Sequence, residues 1–203
     1  MDFEHYDEQS RTVKQPLYDY YAQKAKAHTD ITDGYCLDVG SNGGYFGLAL
    51  AKITNLHMTF FDIADEALQK AQKNIVEDGL QQRATTLLGD VHAIPLEDET
   101  MDIVISRGSI PFWEDPALAL KEIYRVLKKG GKTFVGGGKG TPEIKEQIEE
   151  NMRARGQEID REAMNKMHGD GMKRDYDALL KSVGIYDYVI HRGQDGIWIQ
   201  MYR

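Results

Sequence analysis

The chain predicts an α/β fold: a doubly wound, mostly parallel sheet with helices on both faces, closed by an antiparallel C-terminal hairpin. Three observations predict it. Strand-like runs and helical patterns alternate from about residue 35 to residue 136, as in successive β-α-β units. The stretch LDVGSNGGYFGLALA, Leu37 to Ala51, passes from an apolar run through glycines into an apolar helix, so a tight turn opens a helix at a strand end. The end of the chain changes rhythm, with runs at 186–192 and 197–202 flanking Gly193-Gln194-Asp195-Gly196, which is hairpin chemistry.

Before the alternation, Pro16 divides a mobile start from a helix over about 17–27, in which Leu17, Tyr20, Tyr21 and Ala25 share a face. That face either packs on the domain or closes over a ligand as a lid. Strands follow at 35–39 (YCLDV), 57–61 (HMTFF), 84–88 (ATTLL), 102–106 (DIVIS) and 132–136 (KTFVG). The helix after Asp62 takes Asp65 as its N-cap, Ala67, Leu68, Ala71 and Ile75 as its buried stripe and Gly79 as its stop. The helix after Trp113 takes Asp115 as N-cap and Pro116 in its first turn, and ends before Gly130-Gly131. Between Thr141 and Gly184, Ile144, Ile148 and Met152 mark one helix and Tyr176, Leu179, Leu180 and Val183 another, joined by a stretch containing Met164 and Met167. This exceeds one crossover, so part of 143–172 is expected to cover the site. The organisation expected is a single domain over 1–203: an N-terminal helix or lid at 1–30, a core at 33–140, a helical insertion at 141–184 and a hairpin at 185–203.

Composition narrows the function. With 33 acidic against 25 basic residues among 203, and no long run of Lys and Arg, the chain is repelled by polyanions, and nucleic acid is not an expected partner. The single cysteine, Cys36, falls inside the first strand; it permits no intrachain disulfide and reads as a buried thiol rather than a nucleophile. No signal-like or membrane-length apolar segment is read. The expectation is therefore a cytoplasmic protein without a membrane partner, monomer or homodimer. The six histidines show no metal-ligand spacing, so no metal is expected.

Three stretches carry chemistry. In the first, Gly40, Ser41, Asn42, Gly43 and Gly44 fail the GxGxxG spacing because Asn42 stands two after Gly40, which disfavours plain NAD. Asp38 beside exposed helix amides suits a zwitterion, its ammonium near the carboxylate and its own carboxylate near the amides; a merely structural glycine turn is the alternative. In the second, Asp62 ends the next strand 22 residues after Gly40, where a carboxylate takes both hydroxyls of a ribose; alone it would read as a helix cap. In the third, Asp90 ends a third strand and could accept from an exocyclic amine, with Val91 and Ile63 flanking an aromatic ring.

The ordered set LDVGSNGG, FFDIADEAL, GDVHAIPLEDETMDIVIS and EIYRVLKKGGKTFVGGG resembles the class I S-adenosylmethionine-dependent methyltransferases, especially the broad small-molecule group. The resemblance covers about 33–138 and implies a Rossmann-like seven-stranded sheet, with S-adenosylmethionine as cofactor and S-adenosylhomocysteine as its product. It places Asp38 and Gly40 beside the methionine moiety, Asp62 on the ribose, Asp90 with Val91 at the adenine, and Ser106 and Arg107 toward the sulfonium and substrate; Ser41, Asn42, Gly44 and Ile63 are expected among the cofactor-binding residues as well. Asn42 stands at a usual glycine. The Asn-Pro-Pro-aromatic signature of amide and nucleobase amine methylation is missing, and Ser106-Arg107-Gly108-Ser109-Ile110-Pro111-Phe112-Trp113 occupies its place.

Methyl transfer asks chiefly for alignment and exclusion of water, so no base is required. Arg107 either pairs with a helix carboxylate or faces a carboxylate of cofactor or substrate. His92 and His5 are candidate general bases, against structural hydrogen-bonding roles. Gly136-Gly137-Gly138-Lys139-Gly140 either brings Lys139 to an anion or is a flexible connection. The small-molecule acceptor is expected to be acidic or polar, held by Arg107 and Lys139 under a lid from 6–21 and 143–172. Rival readings are a non-methyl-transferring use of the cofactor and a cofactor-binding sensor.

Overall fold

The computed structural model describes residues 7–157 and 174–203. Seven strands form one sheet: β1 (Tyr35–Val39), β2 (His57–Asp62), β3 (Ala84–Leu88), β4 (Met101–Arg107), β5 (Leu127–Gly137), β6 (Tyr188–Gly193) and β7 (Gly196–Met201). Their order is β3-β2-β1-β4-β5-β7-β6. The first five run parallel, and β7 is antiparallel to both β5 and β6. The expected hairpin therefore supplies the reversed strands.

Period-two alternation sorts the strand residues into two cores. Cys36, Met58, Phe60, Ile103, Ile105, Phe134 and Trp198 face one layer, covered by α1 (Gln15–Thr29), α2 (Tyr45–Lys52), α3 (Asp65–Glu77) and α5 (Pro142–Ala154). Leu37, Val39, Phe61, Val104, Val135 and Ile199 face the other, under α4 (Pro116–Val126) and α6 (Tyr176–Ser182). Cys36 is fully buried, and burial pushes its thiol well above the ordinary range. Among the described residues no helix is long and apolar enough to cross a membrane.

The structure corrects several local expectations. Where the sequence leads to a mobile stretch before Pro16, the described part of it is ordered into a π-helical turn at Gln9–Val13, with Asp7, Ser10 and Val13 buried. Helix α1 starts at Gln15, because a proline in the first turn forfeits no hydrogen bond. The N-cap of α3 is Ala64 rather than Asp65, with no side-chain cap bond of its own; Asp62 Oδ1 accepts the Ala64 N–H instead, at 3.0 Å. Strand β5 begins at Leu127, five residues before the expected 132, through an irregularity that contains left-handed Gly130. Asp115 does cap α4, accepting from Ala117 and Leu118. Tyr6, His5, Met164 and Met167 lie outside the described residues.

Strand order reverses at β1, with β2 on one side and β4 on the other. The carboxyl ends of these strands, at Val39, Asp62, Leu88, Arg107 and Gly137, lie along one edge of the sheet. A crevice at such a reversal is where open α/β sheets bind ligands.

Candidate functional site

The turn after β1 is built by backbone that few residues adopt. Gly40, Asn42 and Gly44 have φ of 67°, 49° and 81°. Asparagine tolerates this region, and the Asn42 side chain closes the turn by accepting the Gly43 N–H at 2.7 Å. A Cβ on Gly40 would stand 2.5 Å from Ser109 Cβ, so glycine is required there by both conformation and space. The main chain of β2 holds the turn down: Phe61 O accepts Gly40 N–H at 2.8 Å and Ser41 N–H at 3.1 Å. The amides of Tyr45 and Phe46 then open α2 without intrahelical acceptors, as the first turn of any helix must.

Asp38 lies beneath this turn, 2% exposed, with Oδ2 accepting the Gly47 N–H at 3.0 Å. Burial raises its pKa to about 7; the Gly47 bond opposes the shift and nearby Asp62 adds to it. Asp62 is half-buried at the end of β2 and spans the turn and the next helix, Oδ2 accepting Asn42 N–H at 2.9 Å and Oδ1 accepting Ala64 N–H. Each oxygen keeps a further lone pair. Ile63 beside it is 70% exposed.

Just past the end of β3, Asp90 and His92 form a local unit. Asp90 Oδ1 receives the His92 backbone N–H at 2.9 Å and meets Nδ1 at 2.5 Å, while His92 Nε2 accepts the Asp115 N–H at 3.0 Å. Because Nε2 must accept, Nδ1 carries the proton. Both ring nitrogens are engaged, so the geometry gives His92 the tying of the β3 turn to the start of α4. The bonds from His92, led by its backbone N–H, hold the Asp90 carboxyl below its usual range. Asp90 Oδ2 stays open to a donor. Val91 is buried.

At the end of β4, Ser106 is fully buried and its hydroxyl bonds Val39 O at 2.7 Å and Ser109 Oγ at 2.5 Å. The two serines thus close the β1–β4 gap under Gly40. Arg107 has no ion-pair partner among the described residues. Its guanidinium carbon lies 5.0 Å from the Tyr18 ring centre and 5.5 Å from that of Tyr21, and Nη2 donates to Gly138 O at 3.3 Å, the carbonyl preceding Lys139. Burial, then Lys145, lowers the Lys139 ammonium pKa. Gly138 is not a loose connection: a Cβ there would collide with Asp195 O and lie 2.5 Å from Tyr21 Oη.

Several participants are absent from the sequence reading. Asp7 Oδ1 accepts from Tyr45 Oη at 2.8 Å and from Asn74 Nδ2 at 2.9 Å, and Asn74 also donates to Gly43 O at 2.9 Å. Asp195 receives Tyr20 Oη at 2.8 Å and the Lys24 ammonium, and its carbonyl takes Tyr21 Oη. The one available signal was Asn74, a polar residue in line with Ala67, Ala71 and Ile75 on α3.

Residues 37–135 match the methyltransferase domain family model. A solved protein from Methanococcus maripaludis, a candidate S-adenosyl-L-methionine-dependent methyltransferase, is 35% identical, with a TM-score of 0.88 over 99% of this chain and 91% of that one. The chain belongs to the S-adenosylmethionine-dependent methyltransferases. A 2-methyl-6-phytyl-1,4-hydroquinone methyltransferase of Oryza sativa subsp. japonica is 34% identical over 47% of this chain and 28% of its own length. A ubiquinone/menaquinone biosynthesis C-methyltransferase of Rickettsia massiliae is 32% identical over 49% and 42%. The chain thus spans between about a quarter and two fifths of these curated relatives.

For this methyltransferase the donor set fits S-adenosylmethionine. Asp62 ends β2, and Asp90 stands two residues past the end of β3 at Leu88 rather than ending that strand as expected. Both carboxylates keep acceptor capacity, an exposed isoleucine lies between them in sequence, and a left-handed turn presents helix amides beside a buried acid.

Proposed function

We propose that this protein transfers the methyl group of S-adenosylmethionine to a small-molecule acceptor by in-line displacement. The observation that carries the reading is the joint placement of Asp62 at the end of β2 and Asp90 just past the end of adjacent β3, beside the Gly40–Gly44 turn. When bound, the cofactor supplies an electrophilic methyl group on a sulfonium. Asp62 then accepts the ribose hydroxyls, Asp90 Oδ2 the adenine amine, and Ile63 and Val91 flank the ring. Asp38 and the Tyr45 and Phe46 amides receive the two charges of the amino-acid end. Ser106 and Ser109 act from below by fixing Gly40 against Val39. Helices α1 and α5 exclude water, with Ile148 of α5 packed in the same core as Leu17 and Val13, and alignment in a dry cleft is what this reaction requires.

The quinone-type substrates named for the plant and Rickettsia proteins arise from matches over about half of this chain, so they support the cofactor more than the acceptor. Calorimetry with S-adenosylmethionine and S-adenosylhomocysteine tests the shared claim: both bind, and Asp62→Asn weakens both by about tenfold, the equivalent of roughly 1.4 kcal/mol. Absence of binding to either sinks the reading. Consumption of the methyl donor across a metabolite panel then separates an enzyme from a sensor.

A further inference from the structure

Arg107 carries donors that the protein does not use. Its Nε is buried and has no acceptor among the described residues, where its hydrogen bond to Gly138 O is long at 3.3 Å. A buried N–H without a partner is costly to leave unsatisfied, and a guanidinium has five donors in one plane. The Tyr18 and Tyr21 rings attract its face but leave its edge unsatisfied. Their hydroxyls do not help. Tyr21 Oη takes the Gly140 N–H and gives its proton to Asp195 O, while Tyr18 Oη meets Ser10 Oγ. The rings are therefore held by partners elsewhere and fix the plane of the guanidinium without consuming its edge.

We propose that Arg107 is an oxyanion subsite that holds a carboxylate of the methyl acceptor. A planar carboxylate matches the fork formed by Nε and one Nη, and in a partly desolvated position such a bidentate pair is short and strong. The carboxylate belongs to the acceptor rather than to the cofactor because of where the side chain goes. The cofactor's amino-acid end is assigned to the turn after β1, whereas Arg107 reaches across to Gly138 beyond β5. At about 4.8 Å per strand that is roughly 10 Å from β1. Tyr18 and Tyr21 are positioning residues, and they make α1 one wall of the acceptor space. This inference deepens the methyltransferase reading and rests on it.

Formate serves as the probe, being a carboxylate without a skeleton to mismatch. With S-adenosylhomocysteine saturating, the Nε–H nitrogen resonance of Arg107, assigned by its loss in Arg107→Lys, shifts saturably on addition of millimolar sodium formate and not on sodium chloride at equal ionic strength. In parallel, formate raises the melting temperature of the unaltered protein above the chloride control, and Arg107→Gln abolishes that difference. A resonance and a melting temperature indifferent to formate overturn the proposal. If S-adenosylhomocysteine alone moves the resonance, its decarboxylated analogue does not, and formate then adds nothing, the carboxylate is the cofactor's and the acceptor assignment is wrong. Failure of S-adenosylhomocysteine to bind in calorimetry is a separate result, and it strikes the methyltransferase reading whatever formate does.

Discussion

Asp38 is the residue at which stability and ligand charge meet. Burial pushes its folded pKa up to about 7, above the ordinary 3.8 of an aspartate, so the folded state binds this proton more tightly than the unfolded chain does. Its contribution is complete below pH 3.8 and is lost as pH rises through 7. The shift corresponds to roughly 4 kcal/mol. Asp38→Asn keeps an acceptor for the Gly47 N–H and removes the ionisation. Denaturation midpoints of the two proteins should therefore diverge between pH 4 and pH 8, the unaltered protein falling relative to the variant; parallel curves refute the coupling. A second expectation concerns Gly40. An alanine there meets Ser109 Cβ at 2.5 Å in a left-handed backbone, and should cost about 2–4 kcal/mol in urea unfolding. Ser109→Gly in the same chain should restore the steric part only, leaving about 1–2 kcal/mol for the left-handed conformation. At this scale Asp38, Asp62 and Asp90 are legible in the sequence because each closes an apolar run, and a strand end is a place the alternation reveals. Asp7, Ser109 and Asp195 are not, since their partners come from remote segments: Asp7 and Asn74 stand 67 positions apart.

Among the elements, α1 shows how a helix legible from its own residues gains a position that they do not specify. Its apolar stripe locates the buried face, yet the anchor is Asp195 in the β6–β7 turn, 175 residues from Tyr20. Burial raises the Asp195 pKa, but hydrogen bonds from Lys24 and Tyr20 outweigh it and leave the carboxyl below its usual range. The stability it contributes is therefore present above the unfolded value of 3.8 and disappears as pH falls through the lowered one. Asp195→Ala leaves the Tyr20 hydroxyl and the Lys24 ammonium without that acceptor, and should cost about 1–3 kcal/mol. Hydrogen exchange in Gln15–Thr29 should accelerate while β1 and β4 stay protected; uniform acceleration would instead mean global loss of stability. The same contrast explains what the sequence reveals of the fold. All seven strands are readable because alternation is local, while the irregular entry to β5 and the helical turn at Gln9–Val13 depend on tertiary partners and escape it.

For the molecule as a whole, the segment before α1 and the cofactor turn act as one body. Asp7 is buried, 8% exposed, and accepts from Tyr45 at the head of α2 and from Asn74 on α3, which in turn holds Gly43 O. Arg11 adds Asp78 at the far end of α3, at 2.9 Å. The N-terminal segment thus spans both helices that flank the turn, and whatever orders the turn is coupled to the docking of that segment. Asp7→Ala removes the buried acceptor that Tyr45 Oη and Asn74 Nδ2 share, a loss of roughly 1–3 kcal/mol, part of it falling on the turn. S-adenosylhomocysteine affinity in calorimetry should drop by about tenfold, or roughly 1.4 kcal/mol, although Asp7 is assigned no contact with the ligand. Ligand in excess should in turn restore protection of residues 7–13, because a species that binds only the ordered turn stabilises everything ordered with it, by about 2.7 kcal/mol at 100 times Kd. If Asp7→Ala lowers stability while affinity stays unchanged, the segment is a structural brace and the coupling to the turn does not exist.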